Sequence, residues 1–124
     1  MNNKNETSPA ERLTYQQTSV IQELVNCALA CESCATSCLR EKEVSMMTRC
    51  IELTRDCSDI CFQGSKLMMR GSEIADQFLK ICEEVCRICA YECQQHENEH
   101  CKICAEACES CANSCVEIYQ NPNS

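Results

Sequence analysis

The sequence predicts an all-α protein, an antiparallel up-down-up-down four-helix bundle with a cysteine-lined core. Three observations carry that reading: the number of cysteines, their spacing, and the scarcity of everything else that builds a small domain. Sixteen of the 124 residues are cysteine. Cys27, Cys31, Cys34 and Cys38 share the offsets 0, 4, 7 and 11 with Cys82, Cys86, Cys89 and Cys93. Cys50, Cys57 and Cys61 stand at 0, 7 and 11, and Cys101, Cys104, Cys108, Cys111 and Cys115 at 0, 3, 7, 10 and 14. Every offset belongs to the series that marks one face of a helix, whereas a strand would repeat every second residue. Four groups mean four helices, each with a sulfur stripe. With three tyrosines, two phenylalanines and no tryptophan, the usual bulky fillers of such a bundle are missing.

The elements follow in order. Ser8-Pro9-Ala10-Glu11 has the form of a capping box with proline at the first helical position. It predicts a first helix from about Pro9 to Arg40, whose stripe extends upstream of Cys27 through Leu24, Val20 and Leu13. Glu41 to Ser45 is a charged connection, and the second helix is expected over Met46 to Met69, with Gly64 a weak point inside it. Gly71 suits a helix C′ position and Ser72 an N-cap. The third helix is expected to reach Gln95, His96 to Glu99 to form the third turn, and the fourth helix to end near Tyr119, before Pro122. Residues 9–120 are read as one domain, with flexible ends at 1–8 and 121–124.

Short connections make neighbours antiparallel. One end of the bundle then carries Cys38, Met46, Met47, Cys50, Cys93, His96, His100 and Cys101. The other carries Val20, Leu24, Leu67, Met68, Phe78, Leu79 and Ile118. The first end is rich in soft donors and imidazoles; the second is a hydrophobic plug. A metal is expected to enter at the first.

Two glycines and two prolines argue against a loop-rich disulfide scaffold, which needs many tight turns. Residues 1–11 hold no apolar core of a signal peptide, and no run approaches a membrane span. The expectation is therefore a cytoplasmic protein in a reducing compartment, with its thiols free and no membrane partner. The formal charge is −8, with no basic stripe for nucleic acid. No Ser/His/Asp triad, P-loop or glycine-rich nucleotide loop is present, so no enzyme is expected.

Seven cysteine pairs have the form CxxxC: 27/31, 34/38, 57/61, 82/86, 89/93, 104/108 and 111/115. Residues four apart on a helix have Cβ atoms about 5–6 Å apart, too far for an unstrained disulfide at about 3.5–4.5 Å. Two thiolates at that separation can hold a metal ion between them instead. Copper(I) favours soft thiolate and thioether ligands. Zinc fits less well, because structural sites usually take CxxC from turns, and the four CxxC pairs here lie inside the helical period. All sixteen cysteines are candidate ligands for several copper(I) ions per chain. A zinc, metal-cluster or thiol-redox protein with the same core is the alternative, and purely structural cysteine packing is another.

These residues resemble the bacterial copper storage proteins, in particular their cytosolic members. The similarity spans nearly all of Cys27 to Cys115. Its most specific parts are Cys50-Ile51-Glu52-Leu53 through Cys57-Ser58-Asp59-Ile60-Cys61, the run Cys82 to Cys93, and His96-Glu97-Asn98-Glu99-His100-Cys101 leading into Cys104 and Cys108. The resemblance implies a four-helix bundle that assembles as a homotetramer and stores many Cu(I) ions on core thiolates, exchanged with a copper donor or acceptor. It also implies an open mouth lined by His96, His100, Met46 and Met47. On residue pattern alone the two histidines read equally as solvated turn residues and the methionines as ordinary helix-end contacts. The apolar Val20 and Leu24 depart from the thiol-richest pattern and imply a lower capacity.

Overall fold

The computed structural model describes residues 12–121. Four helices make up the bundle: α1 (Tyr15–Leu39), α2 (Thr48–Met69), α3 (Ala75–Gln94) and α4 (Glu99–Gln120). Each packs against its sequence neighbour, and α1 closes the ring against α4. That is the up-down-up-down order expected from the short connections. There is no strand among the described residues.

The helix ends are set by local chemistry. Arg12 to Thr14 precede the start of α1, and Thr14 is its N-cap: the Thr14 hydroxyl accepts from the Gln17 backbone N–H while the Gln17 side chain accepts from that of Thr14. The expected cap at Ser8 to Glu11 lies outside the described residues, as do residues 1–8 and Pro122. The second helix begins at Thr48 rather than Met46, because Val44–Met47 form a 3-10 turn that feeds into it. Gly71 ends α2 with φ at +64°. Its N–H donates to the Met68 carbonyl, and that of Ser72 to the Leu67 carbonyl, the paired bonds of a Schellman cap. Ser72 does not cap α3 directly. Its hydroxyl accepts from the Ile74 N–H, and α3 starts one residue later at Ala75.

The core is sulfur. All sixteen cysteines are buried, none more than 1% exposed, and all are free thiols. Ala28, Ala35, Ala90, Ala105 and Ala112 are the small buried residues beside them. At one end Val20, Leu24, Leu67, Met68, Leu79 and Ile118 are buried and form the expected plug. Burying a side chain such as Leu24 or Leu79 contributes roughly 1.5–3 kcal/mol.

Gly64 has a definite role in this arrangement. A Cβ there would stand 2.8 Å from the Cys82 Sγ and 3.6 Å from both Leu24 and Phe78. The missing side chain lets Cys82 lie against the backbone of α2, where its thiol donates to the Ile60 carbonyl at 3.7 Å. Alanine in a free helix interior gains about 1 kcal/mol over glycine, but overpacking costs about 1–3 kcal/mol. Gly64→Ala is therefore expected to lower the stability of the reduced, metal-free protein by up to about 2 kcal/mol, read from urea unfolding midpoints. A midpoint equal to or above that of the parent would mean that Cys82 moves aside without cost.

Candidate metal centre

Four helices aim their stripes at one axis, so the thiols meet across the bundle more than along each helix. The Cys27 Sγ lies 3.9 Å from that of Cys57, 3.8 Å from that of Cys86 and 3.7 Å from that of Cys108. Cys61 and Cys86 approach to 3.5 Å, and Cys31 stands 3.6 Å from Cys108 and 3.7 Å from Cys104. Cys50 lies 3.8 Å from both Cys38 and Cys93 and 3.9 Å from Cys101. Three CxxxC pairs also approach within a helix: 34/38 at 4.0 Å, 57/61 at 3.9 Å and 104/108 at 4.0 Å. These are far from the 2.05 Å of a disulfide. Two sulfurs each about 2.3 Å from a shared ion lie about 3.8 Å apart at a tetrahedral angle and about 4.0 Å at a trigonal one. The thiols already stand at metal-sharing distance.

They fall into five overlapping groups, each with sulfurs within 4.8 Å of one another. In order from the mouth these are Cys34, Cys38, Cys50 and Cys101; Cys34, Cys93 and Cys104; Cys31, Cys89, Cys104 and Cys108; Cys27, Cys31, Cys57 and Cys108; and Cys27, Cys57, Cys61 and Cys86. Each group shares at least one thiol with the next. Thirteen of the sixteen cysteines are included, and Cys82, Cys111 and Cys115, toward the plug, lie outside. The seven CxxxC pairs counted from spacing lie within helices; the groups join thiols across helices into one continuous column.

The mouth residues divide. His100 reaches the thiols, with Nδ1 3.5 Å from the Cys34 Sγ, 3.6 Å from that of Cys101 and 3.9 Å from that of Cys38. Its Nε2 lies 2.9 Å from the Glu41 carboxylate. His96 instead pairs with Glu92 at 2.8 Å, and Arg49 lies 3.3 Å from the other oxygen of that carboxylate. A cavity of about 320 Å³ opens here, lined by Glu41, Lys42, Glu43, Met46, Met47, His96 and Asn98. Met47 is buried, while Met46 is 70% exposed.

Three residues escaped the sequence reading. Thr54 is fully buried and fills the offset-4 place between Cys50 and Cys57, so α2 also follows the 0, 4, 7, 11 register with one hydroxyl in it. That hydroxyl donates back to the Cys50 carbonyl at 2.7 Å. The register signals Thr54. Glu41 and Glu92 carry no comparable signal; Glu41 is 59 residues from its histidine.

Burial sets the protonation state of the edge thiols. It pushes Cys38 from 9.0 up to about 11 and raises Cys82 and Cys101 as well, because a thiolate loses solvation among sulfurs. A group raised on folding favours the folded state below its unfolded pKa, and that advantage is lost between the unfolded and folded values. Reduced, metal-free protein is therefore expected to lose stability as pH rises from 9 toward 11. Anaerobic urea midpoints at neutral and alkaline pH test this, and Cys38→Ala should flatten the slope. An equal slope in that variant would contradict it.

No helix among the described residues is long and apolar enough to cross a membrane. Comparison with curated protein sequences finds no match. The family model for copper storage protein matches residues 13–120. Among solved structures, a copper storage protein of Streptomyces lividans loaded with 10 copper equivalents is 33% identical. It superposes with a TM-score of 0.85, over 93% of this chain and 92% of that one. A cytosolic copper storage protein from S. lividans, loaded with five coppers, is 36% identical, with a TM-score of 0.83 over 86% and 93%. The Cu(I)-bound copper storage protein 3 of Bacillus subtilis is 34% identical, with a TM-score of 0.81 over 84% and 98%. With a family match across nearly the whole bundle and a core of free thiols at metal-sharing distance, this chain belongs to the copper storage protein family.

Proposed function

We propose that this chain stores copper(I) on its core thiolates and does so without catalysis. The observation that carries the reading is the overlap of the five thiol groups. Sharing of Cys34, Cys104, Cys31, Cys108, Cys27 and Cys57 between neighbouring groups gives an ion a route inward by single ligand exchanges. Reduced thiols at the mouth, with His100, receive the ion; the plug of Leu24, Leu79 and Ile118 closes the far end. Cys82, Cys111 and Cys115 take copper last in this scheme, since they stand beyond the groups. Catalysis needs one distinctive constellation, whereas many near-equivalent sites suit capacity. Each thiol gives up a proton on binding, so copper is held less tightly as pH falls. The S. lividans relative described as cytosolic and the free thiols here support a reducing compartment.

We also propose the homotetramer implied by the family resemblance. It is supported by exposed Ile74 at the start of α3 and exposed Ile81 and Ile88 along it, each seven residues from the last. Such a stripe suits an interface with another copy. Ile81→Glu is expected to reduce the solution mass from four chains toward two or one by light scattering; an unchanged tetramer would place the interface elsewhere.

The central test is titration of fully reduced protein with Cu(I) against a competing chelator under argon. Two thiols per ion allow about eight ions on sixteen cysteines, and bridging thiolates raise that to about ten or more. Loading is also expected to raise the melting temperature by at least about 10 °C, since binding to the folded state alone stabilises it by about 4 kcal/mol at a thousandfold excess over Kd. Uptake of one or two ions would reject storage in favour of a zinc or redox site.

A further inference from the structure

We propose that Glu41 is a positioning residue for the mouth: it fixes the His100 tautomer so that Nδ1 is free to bind copper(I) beside Cys34 and Cys101. The inference rests on the copper-storage reading and concerns a residue outside the thiol column. Glu41 Oε1 stands 2.9 Å from His100 Nε2. An ionised carboxylate only accepts hydrogen bonds, so Nε2 carries the hydrogen, and in the neutral form of a ring so held the lone pair lies at Nδ1. That nitrogen faces the Cys34 and Cys101 sulfurs at 3.5 and 3.6 Å. With metal–imidazole and metal–thiolate lengths of about 2.0 and 2.3 Å, as known for zinc, nitrogen and sulfur on one trigonal ion stand about 3.7 Å apart. The ring is already at that distance.

Glu41 is itself held in place. Its backbone N–H donates to the Cys38 carbonyl at 3.2 Å, so its carboxylate projects from the end of α1, the helix that supplies Cys34 and Cys38 to the first thiol group. Metal-binding histidines usually hand their second N–H to a carboxylate, carbonyl or water, and loss of such a partner costs about 10–100-fold in affinity or activity. Glu43 lines the same cavity and supplies a control for charge alone.

The test uses the full-length reduced protein, with Glu41→Ala, Glu43→Gln and His100→Ala variants. Long-range 1H–15N spectra of the metal-free protein report the ring tautomer of His100, and transfer from a Cu(I)–chelator complex reports capture at the mouth. The parent and Glu43→Gln should show the Nε2–H tautomer and equal initial rates. Glu41→Ala should show a mixture of tautomers and a rate lower by about tenfold or more. An unchanged tautomer in Glu41→Ala, or equal slowing in Glu43→Gln, would overturn the proposal. Slowing in His100→Ala but not in Glu41→Ala would remove the positioning role and leave the mouth intact. A parent-like rate in His100→Ala would remove the mouth ligand itself, and failure of the parent to take up copper would sink the storage reading beneath both.

Discussion

Fourteen sulfur–sulfur approaches between 3.5 and 4.0 Å run through the centre of this bundle, and the separation of the helices follows from them. A thiol is a small apolar filler. Four stripes of thiols can fill a bundle only if the helices come close enough for sulfur to meet sulfur. The alanines at 28, 35, 90, 105 and 112 belong to the same constraint, since larger side chains flanking the stripes would force the helices apart. So does Gly64, whose bare Cα admits Cys82. A core drawn together this far has its ligands at ion-sharing distance before any ion arrives, so little rearrangement opposes binding.

Much of this could be read from the chain. The helical period of the cysteines fixed the number of helices, their inward faces and the location of the plug, because a stripe at 3.6-residue spacing has one physical interpretation at this cysteine density. The preference of glycine for a helix C′ position placed Gly71 correctly. Other details depended on groups that only the fold brings together. Thr14-Tyr15-Gln16-Gln17 has the same capping-box form as Ser8 to Glu11, and Thr14 is the residue that opens the sulfur-bearing helix. CxxxC spacing suggested pairs within helices, whereas the axis brings together thiols as distant in sequence as Cys27 and Cys108. The two histidines look equivalent four residues apart, yet one points at sulfur and the other is held by Glu92. Helix phase decides that difference, because the first turn of α4 carries His100 inward while His96 precedes the helix.

The asymmetry of the ends gives the column a direction. At the mouth, Cys38, Cys50 and Cys101 lie near an imidazole, two carboxylate–histidine pairs and a cavity lined by charged side chains and methionines. At the other end the last thiols meet Leu24, Leu79 and Phe78, and Cys82 turns its hydrogen toward a backbone carbonyl rather than another sulfur. On the proposed entry at this end, an ion would meet thiols with shared neighbours at each step along the five groups and reach Cys82, Cys111 and Cys115 last. The plug contributes stability, because Leu24 and Leu79 are fully buried there.

The proposed copper entry also gives a reason for the histidine to stand at this end and not in the interior. On the storage reading an ion arriving from a carrier exchanges ligands at this end, and imidazole, a borderline donor, holds copper(I) less strongly than thiolate does. Inside, every acceptor is sulfur, and moving from one group to the next changes the identity of one ligand but not its softness. On the storage reading, the change of ligand type is therefore confined to the handover from the His100 nitrogen to sulfur, and every later exchange in the column is sulfur for sulfur.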